Sequence, residues 1–211
     1  MKVFKHTQGG FDLPIHFQLA RVSPERVLKH QIAKDKDERN SWCLHGKPCA
    51  KYDTRPCCPP RVRMFSEYKV RKYVYLMETK LYLSDYYEVY PNVKASKSWA
   101  YFGMDGTHKM TRGISNKVIK QIAQEYGGQA FRVGGCLGCQ YHKTGKCNYF
   151  MPPLESAGVD LCALSLDVFK TEILWAKPKK PMEYMIALGA IYTDEVIPKS
   201  KFKEVIENVC R

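Results

Sequence analysis

The chain contains no run of about eighteen apolar residues, so it offers no candidate membrane-spanning helix. Met1 to Gly10 lacks the apolar stretch of a signal peptide, and the expected compartment is the cytoplasm. There is no Gly-x-Ser-x-Gly elbow, P-loop, Gly-x-Gly-x-x-Gly turn or His-Glu-x-x-His helix. Asp53, Asp105, Glu155 and Asp160 stand alone, without a second carboxylate spaced for acid–base work. These absences direct any chemistry toward a metal. Acidic residues are scarce too, 21 against 34 lysines and arginines, giving a formal net charge of +13. That balance admits nucleic acid, an acidic protein or an anionic membrane surface as partner, while scattered lysines also serve solubility alone.

What the chain has is cysteine, nine in all. In a reducing compartment, clustered cysteines are more often metal ligands than a disulfide framework. Cys136, Cys139 and Cys147 crowd together, with His142 between the last two. The spacing Cys136-x2-Cys139-x2-His142 is that of loops wrapping an iron–sulfur cubane, expected here as a 4Fe-4S cluster. Gly134, Gly135, Gly138 and Gly145 permit the turns that aim several side chains at one point. Three cysteines and a histidine also make a closed tetrahedral zinc site, which is the alternative.

The second cluster, Cys43 to Pro60, supplies Cys43, Cys49, Cys57 and Cys58 as further candidate ligands. Pro59 and Pro60 rigidify its exit. Adjacent residues of an extended chain point apart, so one of Cys57 and Cys58 is expected to ligate. Cys162 is a candidate late ligand, and Cys210 is read as structural.

The elements around these clusters predict an α/β (or α+β) fold, a mixed sheet with flanking helices and two cysteine-rich metal-binding loops. A hydrophobic content of 45% over 211 residues allows a real core, and the chain is read as one metal-binding domain, residues 1–211. Residues 1–40 are its least defined part: a helix start at Ser23-Pro24, then a charge run from Ala33 to Asn40 expected to be solvated. His6, His16 and His30 show no ligand spacing. Tyr68 to Tyr90 is strand-like, with Val70, Val74 and Leu76 on one buried face. Ser115 to Gly128 reads as a helix capped by Ser115 and stopped by Gly127-Gly128. Ala130 to Val133 reads as a short strand feeding the central cysteine loop, and Leu154 to Gly158 as one helical turn. Leu166 to Ala176 is a further helix, Pro178 to Pro181 a basic linker, Met185 to Tyr192 a central strand and Ser200 to Val209 a final helix.

These residues resemble an uncharacterised archaeal and bacterial family described as predicted metal-binding proteins. Its members carry an early cysteine cluster ending in Cys-Pro-Pro, here Cys49 through Cys58-Pro59-Pro60. Much later they carry a Gly-x-Cys-x2-Cys-x2-Cys loop, a final Cys and a Pro-Ser-x-Glu-Ala-x-Gly-Ile/Val-Asp segment. That part reads here as Gly135-Cys136, Cys139, Cys147 and Pro153 to Asp160, PLESAGVD. His142 stands where the family has its third cysteine, and the span from Cys147 to Pro153 is short. A histidine in place of thiolate raises a cluster's potential or shifts preference toward zinc. The resemblance implies metal binding and nothing further about role.

Two functions are therefore expected. One is an iron–sulfur protein serving a protein partner as electron carrier, scaffold or accessory subunit. The other is a protein acting on RNA or another nucleic acid through a zinc or iron–sulfur site, which either shapes a basic surface or transfers sulfur.

Overall fold

Leu13, Ile15 and Phe17 are buried while Asp12, Pro14 and His16 between them are less so, the alternation of a half-buried strand. They belong to a hairpin of β1 (Lys2–Gln8) and β2 (Phe11–Val22), with Lys2 opposite Phe17. The computed structural model describes residues 2–8, 11–45, 49–50, 52–89, 99–134, 151–174 and 182–211. β3 (Tyr73–Tyr82) pairs with β2 on one side and with β5 (Tyr184–Thr193) on the other, and β4 (Gln129–Phe131) closes the far edge. The order β1-β2-β3-β5-β4 is antiparallel throughout. Six helices among the described residues accompany the sheet, so the α/β (or α+β) class is what the chain adopts.

Both faces of the sheet are covered. Tyr75, Met77, Ala187 and Ile191 pack against α4 (Trp99–Glu125) and α6 (Lys199–Cys210) through Val118, Ile119, Ile122, Phe202 and Val205. Val74, Leu76, Leu188 and Tyr192 face a second layer. It is built from α1 (Pro24–Leu28), the chain at Val62 and Phe65, the turn at Leu154–Val159 and α5 (Leu161–Phe169). Because of this second layer, residues 74 to 81 are buried on both sides, and the expectation of a single buried face gives way. Val70, expected on that face, precedes β3 and is 78% exposed. α3 (Leu83–Val89) follows β3 directly.

Three other expectations shift. Ser115 is no cap: it lies buried in mid-helix, its Oγ donating to the Thr111 carbonyl at 2.7 Å and meeting Thr79 Oγ1 at 2.8 Å. Gly103, Gly106 and Gly113 lower the local propensity enough to hide the first half of α4 in the sequence. The helix expected from Leu166 starts earlier, because the Asp160 carboxylate accepts from Cys162 N at 2.8 Å and Ala163 N at 3.1 Å. It ends at Phe169 because Lys170 turns left-handed, φ 57°. The charge run before Asn40 enters α2 (Lys36–Leu44), capped by Asp35, and its Arg39 is 1% exposed rather than solvated. The basic linker lies outside the described residues. Among the described residues, no helix is long and apolar enough to cross a membrane.

Candidate metal centre

The first cysteine segment begins on the last turn of α2, where Cys43 is half-buried. Its carbonyl accepts from Cys49 N at 2.8 Å, so the chain folds back on the helix end. Burial first, and then the nearby Cys49 thiol, push the Cys43 thiol up against the pull of Arg39. Further turns follow: Tyr52 N to Cys49 O, Asp53 N to Pro59 O, and Cys58 N to Arg55 O, at 2.8 to 3.1 Å. Asp53 is left-handed, φ 52°, and receives Arg61 Nε on its carboxylate at 3.0 Å and Arg61 Nη2 on its carbonyl at 2.9 Å. Cys57 and Cys58 are both buried by this packing, while Cys49 stays exposed. None of the six described cysteines is in a disulfide.

Cys136, Cys139, His142 and Cys147 lie outside the described residues, but both stems of their segment are described. Arg132 N donates to the Pro152 carbonyl at 3.1 Å, and Arg132 forms a parallel bridge with Pro153. The chain thus leaves at Gly134 and returns at Met151 beside its point of departure. α4 grips the departing stem. Asn116 Oδ1 accepts from Val133 N at 2.8 Å, and Arg112 Nε donates to the Val133 carbonyl at 3.3 Å. Gly134, φ 59°, presses on the Arg112 guanidinium, which would stand 3.0 Å from any Cβ there. A side chain at this position would displace the grip.

Arg39 joins the two segments. It sits one helical turn before Cys43, and its Nη1 donates to the carbonyls of Val62 at 2.6 Å and Ser156 at 3.2 Å. Its Nη2 reaches Asn40 Oδ1 at 3.0 Å and the Pro60 carbonyl at 3.4 Å. The entry and exit of the first segment are thereby fastened to the turn that follows the second. A second tie is the antiparallel bridge of Gln31 with Val159, flanked by Ile32 N to Gly158 O at 3.1 Å.

Among the described residues, three guanidinium N–H groups remain buried without an acceptor: Arg39 Nε, Arg55 Nη1 and Arg132 Nε. All three belong to residues on or beside the cysteine segments. A buried donor left unpaired costs roughly 1–3 kcal/mol, so such groups mark places where an acceptor arrives. Orphaned cationic N–H groups on or next to the cysteine-bearing segments fit an anionic metal–thiolate group. Among the described residues, no three of His, Cys, Asp and Glu come together to hold a metal, so Cys43, Cys49, Cys57 and Cys58 do not complete a site by themselves.

The remaining candidates have structural partners. Asp160 caps α5, which is a structural role. Cys210 is buried, its thiol pushed up to about 11 by that burial. His6 meets the Cys210 carbonyl at 3.0 Å, His16 lies 3.8 Å from Asp85, and His30 is 3.2 Å from Asp167. The arginines and Asn116 were not read as site residues in the sequence. One signal was there: Arg39 and Arg132 each precede a cysteine, Cys43 and Cys136, by four positions.

No curated protein and no solved structure matches this chain. A family model does, over residues 26–189, a span that contains both cysteine segments and the stems just described. The chain belongs to this family, DUF2284, described as predicted metal-binding proteins.

Proposed function

We propose that the chain holds an iron–sulfur cluster on Cys136, Cys139, His142 and Cys147, with Cys43, Cys49, Cys57 and Cys58 as candidate supplementary ligands that do not form a site of their own. In this reading it serves a protein partner as an electron carrier, scaffold or accessory subunit. The observation that carries it is the set of buried, acceptor-less N–H groups of Arg39, Arg55 and Arg132 at both segments. A bound cluster would supply one-electron transfer. The arginines would donate to its sulfur atoms and offset its negative charge, which sets where its potential lies. Sulfide and thiolate sulfurs together offer more acceptors than zinc with three thiolates and one imidazole, which favours iron over zinc here.

Metal analysis of anaerobically purified protein tests this. The expected result is brown protein containing iron and acid-labile sulfide. Colourless protein with stoichiometric zinc and no sulfide would overturn it. Within the iron reading, Arg132→Gln should keep the metal and shift the reduction potential to more negative values. An unchanged potential would remove Arg132 from the cluster's surroundings.

A further inference from the structure

The second layer carries a cavity that the metal reading does not use. It measures about 350 Å³, and its walls include Arg61, Arg63, Tyr68, Lys69, Arg71 and Tyr192. Sites for small molecules run from about 300 to 1,000 Å³, so a compact ligand fits. Two of the four cations are paired: Arg61 with Asp53 at 3.0 Å and Arg71 with Asp194 at 3.4 Å. The acid nearest in sequence, Glu67, is taken by Lys36 at 3.0 Å. Arg63 and Lys69, both exposed, have no carboxylate partner among the described residues. Two positive charges on one rim therefore go unmatched.

The wall behind them is rigid and donating. Tyr192 stacks on Phe65 with centroids 5.3 Å apart, and its hydroxyl accepts from Arg71 N at 2.8 Å. The Tyr68 ring stands edge-on to Phe131, and its hydroxyl is buried with no hydrogen-bond partner. Burial pushes that hydroxyl up to about 12 despite Arg63, so it remains a donor at neutral pH.

We propose that this cavity binds a phosphate monoester, its phosphate held between Arg63 and Lys69. A monoester carries about −1.5 to −2 at pH 7, which matches the two unpaired cations. Phosphate offers three oxygens to a planar guanidinium fork and a point-charge ammonium, where a carboxylate offers two oxygens and a single charge. A free nucleotide and the 5′-phosphate of an RNA share this chemistry. The site lies directly after Cys57-Cys58-Pro59-Pro60, yet its cations and walls do not involve the metal ligands.

Titration calorimetry on the full chain tests the proposal with inorganic phosphate, AMP and a 5′-phosphorylated oligoribonucleotide. Saturable binding of AMP is expected, with an affinity lowered at least about tenfold in Arg63→Ala/Lys69→Ala. Lys5→Ala/Lys203→Ala removes the same charge away from the cavity and should bind as wild type. Competition between AMP and the oligonucleotide would assign both to one pocket, and binding of AMP alone would assign it to free nucleotides. Equal loss in both double variants, or oligonucleotide binding without any binding of phosphate or AMP, would overturn the proposal. If the cavity variant unfolds, Lys69→Ala alone, at an exposed position, should still weaken AMP binding, and unchanged binding there counts against the site.

Discussion

Arg39 Nη1 and the carbonyl of Ser156 meet at 3.2 Å across 117 residues of chain. The contact ties the helix that leads into one cysteine segment to the turn that follows the other. Truncating Arg39 leaves the carbonyls of Val62 and Ser156 without their donor, at roughly 1–3 kcal/mol each. Arg39→Ala should therefore lower unfolding free energy by about 2–4 kcal/mol in urea and reduce the metal retained on gel filtration. A variant with full metal content and an unchanged midpoint would show that the two segments hold their places independently.

Cys136→Ser and Cys139→Ser should both lose metal and destabilise the loaded chain, because ligand binding is folding free energy in such segments. Cys210→Ala should keep the metal, since its thiol is sealed between α6 and the sheet at 2% exposure. Its cost is a small core void, about 1 kcal/mol. Metal content and thermal midpoint, measured together on the three variants, separate the two classes. Metal loss in Cys210→Ala would contradict the assignment.

His142→Cys should retain the metal and lower a cluster's potential, as thiolate replaces imidazole. His142→Ala should leave a labile or open iron. Unchanged iron content, spectrum and potential in His142→Ala would make the ring a bystander and send the search for the fourth ligand to Cys162 or the Cys57-Cys58 pair.

Glu78 lies on the central strand with 0% exposure. The Ser165 hydroxyl faces both Glu78 Oε2 at 3.1 Å and the Thr171 carbonyl at 2.9 Å with one proton to give. The Thr171 hydroxyl is caught likewise between Glu78 Oε1 and the Phe169 carbonyl, each at 3.3 Å. Gln18 Nε2 also donates to Oε1 at 3.3 Å, and a protonated Glu78 would add a further donor to this buried cluster. Burial raises its pKa, against the pull of Lys80 and of the two hydroxyls. A raised folded-state pKa gives stability that is complete below the ordinary carboxylate range and is lost as pH rises through the folded value. Glu78→Gln, neutral at every pH, should thus gain on wild type as pH rises through that window, by at most about 1.4 kcal/mol per pH unit. Parallel stability–pH curves for the two proteins would show that Glu78 is ionised in the fold.

Gly189 on β5 lets α4 and β4 close onto the sheet. A Cβ there would collide with Ile119 Cδ1 and stand 2.9 Å from the Phe131 carbonyl. Gly189→Ala should cost about 1–3 kcal/mol, the range of overpacked cores, and denaturant unfolding measures it directly. A neutral effect would mean that α4 shifts freely along the strand.

Regular periodicity made part of this fold legible. Val118, Ile119, Ile122 and Ala123 on α4, the apolar run of β5 and the Phe202, Val205, Ile206 stripe of α6 all pack as their spacing indicates. The β1–β2 hairpin escaped because Pro14 and His16 interrupt an alternation that Leu13, Ile15 and Phe17 carry, although Gly9-Gly10 between the strands was a turn signal. Arg39 escaped because a charge run reads as solvated, and only long-range packing turns one of its members inward. The grip of Asn116 and Arg112 on Val133 spans 17 and 21 residues and leaves no local pattern. Cysteine spacing pointed to the metal segments, while their stems became visible only in three dimensions.

The pairing of Arg132 with Pro152 and Pro153 has a consequence for how the chain can vary. The ends of residues 135–150 are already held together by the sheet edge and α4, so the scaffold has met the entropic cost of joining them. For a segment closed in this way, doubling its length adds only about 0.6 kcal/mol. The stretch can thus differ in length between its cysteines at little entropic cost to the five-stranded sheet. The short interval from Cys147 to Pro153 is a variation that such a framework absorbs.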